Sequence, residues 1–463
     1  MKSSSKFGSV SRLEAAAGGA LARALAIVVA IVIAIVMAVP MALLPAMPAV
    51  AAVERVSQRN ELTYWVGVDG EEGRVALSRL SLASSLRLRA GEHWDIDLAG
   101  RLEGAHDRTG LGSVDSYSPA SRPWIRRDQM RLELDRMVLS RRFGDSRISI
   151  GKQTVAWGVL DGVQVTDRFD PVRRRDFVLT EVRPERLARW GVRWRHDGEP
   201  FRADLAVAFD PTVNQLAQVG DRFEPRAPRL RGGLDVDLPA VELAYSERDR
   251  YVRDATFGLR LGRTVGRADA SVLFLSGPDL EPLLRLDASD PARPAIIIDH
   301  PRRRLFGATL ELPEGSRVWR VELAHLPDQP VNLSGPQPLD SERRGRSLAG
   351  VGMDWNAPDG WFVNAQLALD RLHGGAQAVR PRTDLIATLR AQRGFLHDTL
   401  KFRQELLSSL SDGDGVVRAA LDWQAGDRLQ MSVGADWLYG SRDGLFGQYR
   451  DHSQLWVQMR LSF

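Results

Sequence analysis

The chain ends in Gln454-Leu455-Trp456-Val457-Gln458-Met459-Arg460-Leu461-Ser462-Phe463, which alternates apolar and polar side chains and stops on an aromatic residue. Successive side chains of a β-strand point to opposite faces, so Leu455 and Val457 share one face while Gln458 and Arg460 share the other. An apolar exterior with a polar interior is typical of a transmembrane β-barrel strand. The final strand of a soluble sheet gives the same alternation, so the rest of the chain has to decide.

The same alternation recurs along the chain in segments of about ten residues, the length of a membrane-spanning strand. Clear examples lie at 94–103, 201–210, 363–370 and 428–437. We predict eighteen strands, with sixteen as the alternative, near 61–69, 75–89, 92–104, 130–142, 146–152, 187–196, 200–210, 255–264, 267–276, 304–312, 316–325, 347–356, 361–371, 384–393, 397–407, 415–423, 428–438 and 452–463.

The connections between these segments distinguish a barrel from a soluble sheet. Tight turns rich in Gly, Asp and Pro lie near 143–145, 196–199, 265–267, 313–315, 356–360 and 424–427. Longer stretches lie between them, near 105–128, 153–185, 211–253, 277–302, 327–346 and 372–383. Short and long connections alternate when one rim of a barrel faces the periplasm and the other faces outside. The predicted fold is therefore all-β, a single transmembrane antiparallel β-barrel.

The N-terminal segment predicts export. Lys2, Lys6, Arg12 and Arg23 precede a long apolar run, which is followed by the small residues 49–52. This order is that of a secretory signal peptide. We therefore divide the chain into a signal peptide, 1–52, and a barrel, 53–463, located in the outer membrane of a Gram-negative cell. The run is also long enough for a retained anchor helix, which is the alternative.

Composition fits an exported barrel. The absence of cysteine excludes disulfides, thiolate metal sites and thiol nucleophiles. Residues 1–52 hold four bases and one acid, so their removal reduces the formal charge from +4 to +1. Beyond them, Lys152 and Lys401 are the only lysines and all other bases are arginine. Arginine presents a rigid, permanently charged fork that pairs with carboxylates and phosphates. Genomic base composition is the alternative explanation.

Eight tryptophans fall mostly on the predicted outward faces, several near strand ends, as in an aromatic girdle. Packing in a soluble core is the alternative. They are Trp94, Trp190, Trp194, Trp319, Trp355, Trp361, Trp423 and Trp437.

A barrel of sixteen or more strands encloses more space than its side chains fill, so we expect an aqueous lumen. Arginine rings in pores favour anions, which predicts a cationic track for anionic solutes. Acids share the inward faces, and pairing between neighbouring strands is the alternative. The predicted channel-lining residues are Arg189, Arg193, Arg260, Arg320, Arg390, Arg403 and Arg460.

One motif resembles a known family. Gly151-Lys152-Gln153-Thr154-Val155-Ala156-Trp157-Gly158, followed by Asp161-Gly162 and Asp170-Pro171, resembles a stretch of porin-like outer-membrane barrels related to the alginate-export barrel, and of a neighbouring family of unknown function. The resemblance implies a loop near 153–185 that folds toward the lumen and narrows it. The implied constriction candidates are Lys152, Trp157, Asp170, Arg173, Arg174 and Arg175, although an exposed loop of solvated charge is the alternative for the three arginines.

An enzyme is the competing class, because some outer-membrane barrels use a Ser/His pair for hydrolysis. The eight histidines are scattered and none forms a metal-spaced pair. No nucleophile elbow, phosphate loop or dinucleotide fingerprint occurs. The test that separates the classes is whether a His and a Ser meet on neighbouring strands.

We therefore expect a channel, not an enzyme, for passive diffusion or export of an anionic or amphiphilic solute such as a charged saccharide. A gated or plugged barrel serving as anchor or adhesin is the first alternative, and a hydrolase the second. The expected partners are outer-membrane lipid, the solute, and the barrel-assembly machinery through Phe463. A periplasmic export partner is an open option. We expect a monomer with no cofactor, no metal and no nucleic-acid partner.

Overall fold

The computed structural model of the chain describes residues 53–70, 73–106, 110–177, 185–234, 242–246, 251–290, 295–335, 337, 339–374 and 377–463. These residues form a closed antiparallel barrel of eighteen strands. The expected signal peptide, 1–52, lies outside the described residues. In the described part of the chain, no helix is both long and apolar enough to cross a membrane.

The barrel strands, in chain order, are β1 (Val53–Asp69), β2 (Val75–Ala90), β3 (Trp94–Ala105), β4 (Met130–Phe143), β5 (Ser146–Gln153), β6 (Arg189–Asp197), β7 (Arg202–Ala208), β8 (Thr256–Val265), β9 (Ala268–Pro278), β10 (Arg302–Glu314), β11 (Arg317–Asn332), β12 (Ser341–Asn356), β13 (Trp361–Leu372), β14 (Thr383–Phe395), β15 (Leu400–Ser409), β16 (Asp414–Gln424), β17 (Leu429–Tyr439) and β18 (Gln454–Ser462). Short additional strands lie in the connections at Ile125–Arg127, Val172–Arg173, Glu185–Arg186, Glu242–Tyr245, Leu283–Asp287 and Ala295–Asp299.

The barrel closes because β1 pairs with both β2 and β18. At the seam Glu61 lies opposite Ser462, and Asp69 lies opposite Gln454. The prediction of an eighteen-stranded barrel is confirmed, and the sixteen-stranded alternative is wrong. The predicted start of β1 near residue 61 was too late, since Val53 already lies opposite Ala90. The first seven residues of β1 are largely polar and pair only with β2, so they lack the alternation that marks a strand inside the membrane.

The connections separate into two rims. Short turns lie at 91–93, 144–145, 198–201, 266–267, 315–316, 357–360, 396–399 and 425–428, on the rim that holds both ends of the barrel. The longer connections, with the short ones at 70–74 and 410–413, form the other rim. The predicted long stretch 327–346 was wrong, because β11 and β12 run through most of it. A register shift between Leu326 and Gln329 interrupts the period of two there and hid the strand.

The outward face is apolar. Val433, Leu455 and Val457 are all exposed on it. An exposed apolar band around a closed barrel is stable only in lipid. The chain is therefore a transmembrane β-barrel of the outer membrane, as predicted. Since short turns face the periplasm in such barrels, the long connections lie on the outside of the cell.

Tryptophans mark the periplasmic end of this band. Six of the eight predicted girdle tryptophans lie at the short-turn ends of their strands, and Trp190 and Trp437 lie at the opposite ends. Three of the six stack with arginines, whose guanidinium carbons lie 5.3 Å from the Trp94 ring (Arg141), 5.8 Å from the Trp355 ring (Arg317) and 5.8 Å from the Trp361 ring (Arg393). Amphipathic rings beside cations suit the boundary between acyl chains and headgroups.

The inside holds two apolar clusters rather than one continuous core. The first joins Trp157, Val165 and Phe169 of a long connection to wall residues such as Leu305 and Leu326. The second lies toward the outer rim and includes Trp65, Leu77, Phe223, Phe446, Tyr449 and Trp456. Long connections therefore pack against the inner wall of the barrel.

Candidate functional site

The connection 154–188, called the crossing loop below, leaves the wall at the end of β5. Gly151 has a φ of +133°, a backbone conformation that residues other than glycine rarely adopt. A Cβ there would also clash with the carbonyl oxygen of Met137. This glycine allows an irregular backbone within the ladder, two residues before β5 ends at Gln153, and the next residue, Lys152, is buried. The described parts of the crossing loop are 154–177 and 185–188.

Trp157 fixes the first part of the crossing loop to the wall. Its side chain is 1% exposed, and its indole N–H donates to Asp204 Oδ2 at 2.9 Å. The ring meets Phe169 edge to face, with centroids 5.3 Å apart. A Cβ at Gly258 would collide with the ring, so the wall provides a seat of matching shape.

Glu322 of β11 holds the tip of the crossing loop. This carboxylate, 0% exposed, accepts hydrogen bonds from the backbone amides of Val159 and Leu160 (2.7 Å for Leu160). It also accepts from the amide and the hydroxyl of Thr166, at 2.8 and 2.7 Å. These donors satisfy a buried charge that would otherwise be costly.

The next contact lies still farther round the barrel. Gly162 donates its amide to Gln366 Oε1 of β13 at 2.9 Å. The loop leaves the wall at β5 and returns at β6, and in between it packs against the inner faces of β7 to β13. The crossing loop therefore lies inside the barrel along the inner wall, from β7 round to β13.

Two carboxylates brace the loop from within. Asp170 accepts from the Val155 amide and lies 3.8 Å from Arg189. Burial raises the pKa of Asp170 to about 7, although the charge of Arg189 acts in the opposite direction. Asp167 accepts from the Trp157 amide at 3.3 Å and pairs with Arg186. Burial raises its pKa as well.

The three consecutive arginines point to three separate sets of partners. Arg173 donates to Glu133 at 2.6 Å and to Glu103 at 3.2 Å on the wall. Arg175 donates to Asp221 at 2.9 Å. Arg174 donates to Gln164 Oε1 at 2.7 Å, and burial lowers the pKa of its guanidinium. They are half-buried or buried, so the alternative of an exposed, solvated charged loop is wrong for all three.

Neighbouring connections interlock with the crossing loop. Gln215 donates its amide to the Val172 carbonyl at 3.0 Å and accepts from the Arg174 amide at 2.8 Å. Tyr117 receives a hydrogen bond from Arg173 at 3.2 Å. The lumen is therefore heavily occupied toward the outer rim.

The seven predicted channel-lining arginines all point inward, on the strand face opposite the exposed apolar residues. Six of them contact a carboxylate. The partners are Asp170 for Arg189, Asp204 for Arg193 (2.5 Å), Glu311 (2.9 Å) and Asp354 for Arg320, Glu405 for Arg390 (3.5 Å), Asp422 for Arg403 (2.6 Å) and Glu61 for Arg460 (3.3 Å).

Arg260 differs from the other six. Its Nε donates to a neutral partner, Ser271 Oγ, at 2.9 Å, and no ion pair involves it among the described residues. Pairing with carboxylates, the alternative to a cationic track, therefore offsets the charge of six of these arginines. Arg260 is the one without an ion pair among the described residues.

Toward the periplasm the lumen admits water. The inward side chains of Arg87, Arg142 and Arg390 are 50%, 54% and 44% exposed. They lie on the inward face within five residues of the periplasmic ends of β2, β4 and β14, so this exposure is at the periplasmic mouth of the lumen. The arrangement is a charged, water-accessible vestibule below a loop-filled outer half.

Three Ser/His contacts, made by two serines, lie on the outward face. Ser347 Oγ lies 2.9 Å from His325 Nδ1 and 2.8 Å from His373 Nε2. Ser146 Oγ lies 3.0 Å from His196 Nδ1. The Ser and His of a catalytic triad are therefore within hydrogen-bond distance at these places. In the described part of the chain, however, no carboxylate hydrogen-bonds to any of these imidazoles, so the orienting group is missing.

Sequence reasoning missed the residues that position the loop. Glu322 was recognised only as one of many inward acids, and Gln366 and Gly258 were not singled out. Their inward parity was readable, but their partners lie far away in sequence, and nothing local signals such a contact.

No protein-family model matches the chain, and no curated protein matches it either. Solved outer-membrane proteins are similar in structure. OccAB1 of Acinetobacter baumannii has 9% identity, with 88% of this chain and 95% of that chain covered and a TM-score of 0.49. A loop-deletion variant of OmpT, an outer membrane protein of Vibrio cholerae, has 10% identity, 89% and 99% coverage and a TM-score of 0.40. A variant of the Rh. blastica porin has 9% identity, 89% and 100% coverage and a TM-score of 0.40.

Proposed function

We propose that the chain is a channel for passive diffusion of an anionic or amphiphilic solute, such as a charged saccharide, across the outer membrane. The observation that carries the proposal is the half-exposure of inward arginines such as Arg87 and Arg142 inside a closed barrel. A lumen that holds water and guanidinium groups lowers the barrier for anions. The crossing loop narrows the path and sets the size of what passes.

Selectivity in this proposal rests more on Arg260 than on the paired arginines. An arginine beside a carboxylate contributes little net field to a passing ion, because the two charges offset each other. Arg193 and Arg403 are of this kind, with carboxylates at 2.5 and 2.6 Å. Arg260 donates to Ser271 instead, with Asp204 opposite it on β7 but not in an ion pair with it, so its charge is offset less tightly than theirs.

In this function the chain is a channel without cofactor rather than an enzyme. It is a monomer and is surrounded by outer-membrane lipid. Delivery to the barrel-assembly machinery would use the final strand and Phe463. Relation to the alginate-export barrels remains a resemblance carried by the motif at 151–158.

The test is single-channel recording of the chain from Val53, refolded in detergent and inserted into a planar bilayer under a salt gradient. We expect stepwise conductance with a reversal potential that indicates anion preference. Arg260→Glu should weaken or reverse this preference more strongly than Arg193→Glu or Arg403→Glu. Cation preference in the unaltered channel, or no change in any of the three variants, would contradict the assignment of these arginines.

A plugged barrel serving as anchor or adhesin is the second candidate, favoured by one observation. The second apolar cluster, with Phe223, Phe446 and Tyr449, packs connections over the outer part of the lumen. A barrel that folds, as judged by the heat-dependent shift of its mobility in a gel, but never conducts would support this candidate.

A further inference from the structure

The outward face of β10–β13 changes character toward the outer rim. Phe306, Leu323 and Leu369 are exposed apolar residues in the membrane band. Beyond them the same face presents four exposed arginines, called the outer-rim arginine cluster, which are Arg302, Arg304, Arg343 and Arg371. They project from strands on the lipid side of the wall, so they are separate from the lumen.

Backbone carbonyls hold two of these guanidinium groups without neutralising them. Arg302 Nη1 donates to the carbonyl oxygens of Arg253 at 2.6 Å and Ala255 at 3.2 Å. Arg343 Nη1 donates to the carbonyl oxygens of Asp328 at 3.1 Å and Arg302 at 3.4 Å. Such contacts orient a guanidinium while its positive charge persists.

One carboxylate forms an ion pair with the cluster. Asp328 pairs with Arg304, and their side chains are 40% and 57% exposed. Arg371 donates to a hydroxyl, Thr383 Oγ1, at 2.9 Å. Among the described residues, none of the other three arginines of the cluster makes an ion pair. The cluster thus carries an excess of exposed positive charge.

Its height along the wall matches the outer headgroup layer. Trp319 marks the periplasmic interface on β11, and Asp328 lies nine residues further along the same strand. At about 3.3 Å per residue and a tilt of about 40°, this separation is about 23 Å along the membrane normal. The apolar band of such barrels is about 25 Å tall, so the cluster lies where headgroup phosphates lie.

A row of outward polar side chains lies level with Arg371 on the adjacent strands. His325 lies opposite Ser347, and Ser347 lies opposite Arg371, on adjacent strands. Hydrogen bonds link His325, Ser347 and His373 in a chain. Hydroxyl or amide groups of a headgroup can bond there, directly above the acyl-chain region.

We propose that the outer-rim arginine cluster binds the phosphate groups of an anionic lipid in the outer leaflet. Arginine forks match phosphate oxygens in pairs. The adjoining exposed side chains of Phe306 and Leu323 can contact acyl chains, and a free phosphate ion has no such chains. A lipid therefore engages both halves of this surface.

The test uses the full barrel from Val53 in detergent with two probes, diphosphorylated lipid A and the same lipid after removal of its phosphates, with bound lipid counted by native mass spectrometry. The variant combines Arg302→Gln, Arg304→Gln and Arg343→Gln. The matched control combines Arg141→Gln, Arg317→Gln and Arg393→Gln, which removes outward arginines at the periplasmic rim. We expect the first variant to lose affinity for the phosphorylated lipid by about tenfold or more, and the control to lose little.

Equal loss in both triple variants, or equal binding of the two lipids by the unaltered barrel, would overturn the proposal. Inorganic phosphate is the competitor that separates the two sources of the anion. Complete displacement of the lipid by phosphate at low millimolar concentration would indicate a plain anion site and also contradict it. If the triple variant fails to fold, Arg304→Gln alone serves, since its side chain contacts only Asp328 among the described residues.

Discussion

Glu322 and Thr166 are 156 residues apart in the chain, yet the Glu322 carboxylate accepts hydrogen bonds from both the amide and the hydroxyl of Thr166, at 2.8 and 2.7 Å. This contact joins β11 to the tip of the crossing loop. The tip of the loop is therefore fixed to the inner wall, with this buried carboxylate accepting four of its hydrogen bonds.

Glu322→Ala should release the tip of the crossing loop. The substitution leaves the amides of Val159, Leu160 and Thr166 without an acceptor, and each orphaned buried donor costs about 1–3 kcal/mol. We expect larger and noisier single-channel conductance. Glu311→Ala is the matched control, because it removes one inward carboxylate that contacts Arg320 and not the loop. A similar rise in conductance for both variants would show that wall charge, not anchoring, is responsible.

Gly258→Val should displace Trp157 from its seat. The added side chain would occupy the space of the indole ring, and overpacking of a tight site costs about 1–3 kcal/mol. Quenching of Trp fluorescence by acrylamide in the lumen and channel conductance should both increase. Gly262→Val is the control on the same strand and face, where a Cβ meets its nearest atom at 3.4 Å. Identical behaviour of the two variants would argue against the seat.

The position of the crossing loop should depend on pH through Asp170. Burial raises the pKa of this carboxyl to about 7, against about 3.9 in an unfolded chain. The folded form therefore holds its proton over a range in which the unfolded chain has lost it. The contribution of Asp170 to stability is complete below pH 4 and is lost as the pH rises through about 7.

We therefore expect more frequent openings at pH 8 than at pH 5 in single-channel records. Asp170→Asn should flatten this dependence, since an amide oxygen can still accept from Val155. Asp427→Asn, at an exposed periplasmic turn, should leave it unchanged. Persistence of the full pH effect in Asp170→Asn would assign it to another group.

Phe463→Ala should impair assembly in cells more than stability. The Phe463 ring is exposed, and its backbone closes the seam through bonds of 3.0 and 3.1 Å with Asn60. Alanine retains these backbone bonds, so refolding in detergent should be nearly unaffected. Folded protein recovered from outer membranes should decrease if the ring is a delivery signal. Equal decreases in cells and in detergent would indicate a structural role alone.

The sequence identifies which arginines of the candidate site point inward, but not which residues they contact. Inward parity identified all seven arginines, because direction on a strand follows from odd and even numbering alone. Their carboxylate partners were a matter of strand register, as for Arg403 and Asp422. Alignment of the strands alone is not sufficient, since Arg260 lies opposite Asp204 on the neighbouring strand yet donates to Ser271.

The sequence by itself determined the barrel, its strands and its two rims. Alternation with a period of two is a local property, and it is readable wherever one face meets lipid and the other water. The order of short and long connections is equally local. These features gave eighteen strands with both ends at the periplasmic rim.

The tertiary structure alone decided how the long connections fill the lumen and what gathers on the outer wall. Glu322 meets Leu160 across 162 residues, and Arg302 and Arg343 meet across two strand pairings. Such contacts depend on closure of the ring and on the register of each strand pair. Their energies come from desolvated charges and shape complementarity at sites that no sequence neighbour reveals.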